Sequence, residues 1–404
     1  VYPHYLAPTP SMLIAQFVPA PGEASLAQGL CLPKNTAFRS SRALADSVAC
    51  EFRTADEVQL WPLSITKARY FSVAPDLPVS KLPLSGRLKG GVRISLQTSS
   101  AALGFKHLAL ERLRIHLGGA HEVSHKLYEL IGSSLLGVLV CPPAGADGLP
   151  WHEFISPRNL ELTGFDDEQA LLPVKHRGFG GYRLIQEYFS LPEKCLFFDI
   201  GGLRPALAKH SGQELEIVLL FGQGDPLLES VVDSNNFLLH CSPAINLFPK
   251  HLDRIHVSDG THECHLVPDR THPLDYEIYE ITRVIGHSAG ARVEQEFLPF
   301  YADYHSDRAG AQAYFSTRRE PRLPSEKQKR NGSRTGYVGS EVFISLVDAC
   351  EAPYRGDLRQ ISPQALCTNR DLPILMPSGS AKTDFALDSA APVEAIRIIK
   401  GPSR

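Results

Sequence analysis

The stretch GYRLIQEYFSLPEKCLFFDIGGL, Gly181 to Leu203, restricts the fold more than any other part of this chain. Leu184, Tyr188 and Leu191 recur at i, i+4 and i+7, which predicts a short amphipathic helix with those residues on one face. Pro192 cannot continue that helix, because its ring clashes one turn back and it has no N–H. Cys195 to Ile200 is then a short apolar run closed by Gly201-Gly202, the pattern of a buried strand. A helix folded back on its own strand through LPEK would make a compact nucleus. Glu187, Glu193, Lys194 and Asp199 must reach water or a partner, since an unpaired charge is costly to bury. The stretch holds no nucleophile, base and orienter set, so its role reads as structural.

At 404 residues there is room for two or three domains, each with its own core. Glycine and proline number 31 each, which favours many short strands joined by turns. A net charge of −3 supplies no general attraction to nucleic acid or an anionic membrane surface. The eight cysteines, at 31, 50, 141, 195, 241, 264, 350 and 367, form no CxxC pair and read as free thiols of a reducing cytosol. No apolar run reaches membrane-spanning length, and the start lacks a basic segment followed by an apolar one. Val1 in place of an initiator Met and the closing GPSR read as cut ends.

Strand patterns recur along the chain: SMLIAQFVP, ACEFRT, VQLWPLSITKARYFSV, GVRISLQT and RLRIHLGG, then LEIVLLFG, LDYEIYEITRVIG, EVFISLVDA and VEAIRIIK. A helix with Val123, Leu127, Leu130, Ile131 and Ser134 on one stripe precedes GVLVCPP, and ISPQALCTN reads as a short helix entered at Ser362-Pro363. The whole reads as a β-rich α+β protein, with several β-sheet domains and helices placed singly between them. The Pro, Gly and Ala of Pro142 to Pro150 suggest a boundary. The expected blocks are a β-rich 1–145, an α+β 146–295 holding the opening stretch, and a β-rich 296–404.

Four constellations invite chemistry. His121-Glu122-Val123-Ser124-His125 matches the HExxH of zinc peptidases, whose histidines share a helix face with a general-base Glu between them. It follows Gly118-Gly119-Ala120, at a helix start, and only His152 and Glu153 offer a further ligand nearby. Gly286-His287-Ser288-Ala289-Gly290 matches the GxSxG nucleophile elbow, but His305 is the only histidine after Ser288. The alternative function on these residues is a hydrolase, either a serine hydrolase through Ser288 or a zinc peptidase through His121 and His125. His240, Cys241, His251, His256, His262, Cys264 and His265 are soft ligands without finger spacing, read as satisfied or exposed side chains. Arg318, Arg319, Arg322, Lys327, Lys329, Arg330 and Arg334 form a basic run lacking interleaved aromatics, read as a solvated loop.

Several blocks together resemble the TssF family (also called VasA or ImpG) of type VI secretion system baseplate proteins. They are HYLAPTPSM at 4–12, the Gly181–Leu203 stretch, Ile245 to Phe248 with Asp253-Arg254, VPDRTHPLDYEIYEI, FLPFYADYH and GSEVFISLVD. Cys195 departs from the family, where an aromatic is usual at that position. The resemblance implies a wedge-like fold akin to contractile phage baseplates, and a scaffold with no catalytic residue, metal or cofactor. It implies two copies joined to one TssG, contacts to TssK, TssE and the spike hub and sheath, and a cytoplasmic place docked to the inner-membrane complex. It brings neither nucleic acid nor membrane insertion, and it implies a helical segment before Val1 and further chain after Arg404. HEVSH and GHSAG lie outside the family's blocks.

Overall fold

The computed structural model describes residues 6–41, 47–74, 76–77, 82, 84, 87–99, 103–143, 151–174, 179–258, 262–288, 294–300, 313–323, 330, 332, 334–348, 358–379 and 382–404. Most of the boundary expected at Pro142–Pro150, together with His305 and Cys350, lies outside these residues. The architecture is β-rich, with helices set singly between sheets.

One sheet closes into a barrel, in the order Met12–Pro19, Cys241–Ile245, Glu51–Thr54, Ala37–Ser40, Phe385–Leu387, Val393–Lys400. Met12–Pro19 is antiparallel to both Cys241–Ile245 and Val393–Lys400, so strands from all three sequence blocks share it. Closure leaves no edge exposed to other chains. Alternating side chains point inward, and Phe17, Phe38, Phe52 and Phe385 meet in the lumen. The Phe38 ring stands edge-on to Phe385 at 4.9 Å and to Phe17 at 5.6 Å, geometry that favours aromatic pairs.

Two further sheets share one large core. Five antiparallel strands run in the order Glu153–Ile155, Leu135–Cys141, Glu214–Phe221, Gly90–Thr98, Leu63–Phe71. Four run in the order Leu160–Thr163, Phe197–Ile200, Leu113–Leu117, Phe237–Leu238. Ile94 and Ile217 from the first pack in one cluster with Ile115 and Phe198 from the second. Helix α1, His121–Ser134, adds Leu127, Leu130 and Ile131 to that cluster, the stripe its 3.6-residue period predicts.

The last large sheet has eight strands, among them Glu277–Ser288, Ala313–Pro321, Ser340–Asp348 and Leu358–Thr368. The helix expected over ISPQALCTN is a strand. Ile361, Pro363, Ala365 and Cys367 are buried and their neighbours are more exposed, a period of two. Pro363 is tolerated because it faces the break between Phe248–His251 and Ile255–His256, where its carbonyl accepts from the Leu252 N–H at 3.0 Å.

Candidate protein-docking surface

The opening stretch forms helix α2, Gly180–Ser190, then a 3-10 turn at Pro192–Cys195 and the strand Phe197–Ile200. Leu191 leaves helical geometry at φ −151°, immediately before Pro192, as the proline requires. The helix and strand are where the sequence puts them, and the buried face of the helix is its polar one. Tyr188 is exposed and Leu184 only half-buried, while Arg183 and Glu187 form the buried face. Leu191 is buried, beyond the helix end.

Glu187 is fully enclosed, at 0% exposure. Its Oε1 accepts from Arg183 at 3.1 Å and from the N–H groups of Leu171 and Leu172 at 3.2 and 2.9 Å. Its Oε2 accepts from Lys194 Nζ, which is equally enclosed. Arg183 also donates to Asp167 at 2.6 Å. A buried carboxylate is tolerable when its lone pairs are satisfied and its charge is opposed, and here both conditions hold. The other charges of the stretch also find partners: Asp199 is held by Arg114 at 2.8 and 3.0 Å, and Glu193 lies 3.5 Å from Lys400.

Turning the polar groups inward turns the apolar ones out. Phe179, Tyr182, Ile185, Tyr188 and Phe189 are exposed by 70, 61, 54, 46 and 82%. Tyr182, Ile185 and Phe189 stand at i, i+3 and i+7, opposite Arg183 and Glu187 on the helix circumference. Phe179 meets Tyr182 edge-on at 5.5 Å, and Tyr188 meets Phe189 edge-on at 5.7 Å. At 150–250 Å² for a whole aromatic side chain, the five expose roughly 500–700 Å². That is the upper range for the largest apolar patch on a monomer, a range occupied by interaction sites. Such a surface can exclude water against another protein and has no group for bond-making chemistry. The sequence carried a sign of it, because Arg183 and Glu187 share one stripe and Tyr182, Ile185 and Phe189 share the opposite one.

The tempting constellations fall elsewhere. His121 and His125 lie one turn apart at the start of α1, with ring centroids 3.8 Å apart, and His125 Nδ1 bonds the His121 carbonyl at 2.8 Å. Glu153 is paired with Lys209, and no group of three or more metal-binding side chains occurs among the described residues. Ser288 ends its strand, and His287 Nε2 is bonded at 2.8 Å to Ser362, not to Ser288. His287 Nδ1 lies 3.7 Å from Glu294, too far for the hydrogen bond that would orient a catalytic base. Among the described residues no imidazole is therefore shown hydrogen-bonded to Ser288. We expect a fluorophosphonate probe to leave both Ser288 and Ser362 unlabelled, as read by mass spectrometry of the treated protein.

The histidine and cysteine cluster is dispersed: His240 accepts from the Trp61 N–H at 3.2 Å, His265 stacks on Phe343 at 4.8 Å, and Cys264 is buried in the eight-stranded sheet's core. Among the described residues of the basic run, Arg319 and Arg334 are tied into the fold. Arg319 donates to the Tyr279 carbonyl and to Ser340, at 2.9 and 2.6 Å. Arg334 donates to Asp371 at 2.6 Å and to Asp275 at 2.9 Å. Asp275 also accepts from the Val48 N–H at 3.2 Å, so this arginine ties the eight-stranded sheet to the barrel side. Lys327 and Lys329 lie outside the described residues.

The family model described as "Type VI secretion system, TssF" matches residues 1–404. The chain is 48% identical over 405 residues to type VI secretion system component TssF1 of Pseudomonas aeruginosa PAO1, covering all of this chain and 64% of that protein. It thus spans somewhat less than two thirds of that relative's length. Its fold is similar to a chain in the cryo-electron microscopy structure of the TssK-TssF-TssG baseplate subcomplex, with TM-score 0.71 and 22% identity over 98% of this chain and 67% of the other. It is also similar to a chain of the type VI secretion system baseplate complex, with TM-score 0.58 and 20% identity over 100% of this chain and 64% of the other. The chain belongs to the TssF family of type VI secretion system proteins.

Proposed function

We propose that this chain is the larger part of a structural baseplate subunit, one that works by holding partner proteins in fixed geometry and catalyses no reaction. Its partners are a TssG-like subunit, with two copies of this protein to one of that, and a TssK-like subunit. TssE, the spike hub and the sheath are its further neighbours. Its place is the cytoplasm, in a baseplate docked to the inner-membrane complex. Among the described residues no helix is long and apolar enough to cross a membrane. The family match supports the reading, as do the likenesses to chains of baseplate assemblies.

The observation that carries it is the outward aromatic face of α2, held in place by buried ion pairs. Permanent assemblies bury apolar surface of this kind, and a scaffold needs it presented in one orientation. The test is co-purification of the full-length protein with its TssG-like subunit and measurement of the mass of the complex. A two-to-one complex is expected. Separate elution of the two full-length proteins would overturn the proposal.

A further inference from the structure

The eight-stranded sheet interrupts the barrel. Its strands all lie within 248–368, while the strands on either side in sequence, Cys241–Ile245 and Phe385–Leu387, belong to the barrel. The two bodies have separate cores. Val284, Phe297, Ile344 and Ile361 pack inside the sheet, and Phe17, Phe38, Phe52 and Phe385 pack inside the barrel, where the returning chain adds Leu372 and Met376. Apolar contact between the bodies is limited among the described residues: buried Tyr279 and half-buried Leu366 of the sheet join a cluster with Met12, Ile14 and Ile245 of the barrel strands.

Asn246 stands where the chain leaves the barrel and Asn369 where it returns, and both are 0% exposed. They bond each other twice. Asn246 Nδ2 donates to Asn369 Oδ1 at 2.8 Å, and the Asn369 N–H donates to Asn246 Oδ1 at 2.6 Å. Together they also take both backbone groups of Glu51, the first residue of the barrel strand Glu51–Thr54. The Glu51 N–H donates to Asn369 Oδ1 at 3.0 Å, and its carbonyl accepts from Asn246 Nδ2 at 2.7 Å. A second tie lies alongside, where Arg334 of the inserted chain holds Asp371 of the returning chain at 2.6 Å. Val48 and Asn369 also line a cleft of about 560 Å³, bounded by Arg39 and Glu51 of the barrel and by the inserted Lys250, His251 and Tyr276.

Bodies joined by a small interface move against one another unless something fixes them. Apolar contact is non-directional, whereas a buried amide pair with its bonds made in one geometry admits one orientation. We propose that residues 248–368 form a unit inserted into the barrel, and that the Asn246–Asn369 pair is the latch that fixes its orientation. With the latch open, the two crossings act as a hinge and the cleft gives the unit room to turn. The inference stands apart from the baseplate reading and needs no partner.

The experiment uses the full-length protein with spin labels on unnatural amino acids at two exposed positions, Thr317 in the sheet and Ala386 in the barrel. Pulsed electron resonance reads the distance distribution between them. Asn369→Ala, which removes the acceptor shared by Asn246 and Glu51, is expected to at least double its width. Hydrogen exchange of the peptide carrying the Glu51 N–H is expected to quicken at least tenfold, while peptides carrying Phe17 and Ile361 keep their protection. An unchanged width in folded Asn369→Ala would overturn the proposal. So would widening accompanied by lost protection at both Phe17 and Ile361, which would make the pair part of one shared core. If Asn369→Ala does not fold, Arg334→Gln carries the test, because that side chain is 33% exposed and lies in neither core. The same widening is expected there, and an unchanged width overturns the latch.

Discussion

Replacing Lys194 by methionine is expected to lower the unfolding free energy by about 3–5 kcal/mol, the range for breaking a buried ion pair by removing one partner. Lys194 is 0% exposed and its ammonium donates to Glu187, itself fully enclosed. Methionine keeps most of the volume and removes the charge, so Glu187 remains in the interior with only Arg183 opposing it. The paired substitution Lys194→Met with Glu187→Gln is expected to recover a large part of the loss. The glutamine carbonyl can still accept from the N–H groups of Leu171 and Leu172, and no charge is left uncompensated. Urea denaturation of the two variants measures both effects, the midpoint at constant slope giving the difference. A change below about 1 kcal/mol in Lys194→Met would show that the ion pair is not enclosed as described.

Acid is expected to remove about 4 kcal/mol of stability between pH 7 and pH 5, through two buried histidines. Burial pushes the His240 imidazole down to about 4. Its Nε2 already accepts from the Trp61 N–H, so a proton there would set two donors against each other. Burial also pushes His116 down to about 3, opposed by its bond to the Leu196 carbonyl and reinforced by nearby Lys400. Both folded values lie below the unfolded value of about 6.5, so in this range the unfolded chain binds more protons than the folded one. Stability is therefore fully present above about pH 6.5. It falls as the pH drops, until about 4 for His240 and about 3 for His116. Each contributes about 2 kcal/mol of the loss at pH 5. His116→Phe and His240→Gln are each expected to halve the slope of unfolding free energy against pH between 6.5 and 5. An unchanged slope in both variants would show that these imidazoles titrate normally.

The local signals were legible where one residue type enforces one outcome. Pro192 ends α2, the apolar run of Met12–Pro19 and the alternation in Gly90–Thr98 produce strands, and the stripe of Leu127, Leu130 and Ile131 packs into a core. ISPQALCTN misled because Ser-Pro also opens helices, and its alternation of Ile361, Pro363, Ala365 and Cys367 was the stronger sign. Among the described residues, HExxH and GxSxG each supply a spacing with no catalytic partners gathered around it. His125 bonds to the backbone of its own helix, and His287 bonds to Ser362, a residue 75 positions away.

By itself the sequence determined the types of most elements, the end of α2, the family, and the demand that Glu187, Lys194 and Asp199 find partners. Only the tertiary structure decided how distant strands close the barrel, where Met12–Pro19 pairs with Cys241–Ile245 and Val393–Lys400. It also decided which side of α2 is inside. A helical period separates two faces but does not rank them, because burial depends on what the rest of the chain brings to each. For α2 the deciding groups are Lys194, seven residues beyond Glu187, and the N–H groups of Leu171 and Leu172, sixteen and fifteen residues before it. Once these converge on Glu187, the polar face is the satisfied one, and the aromatic face is left outward.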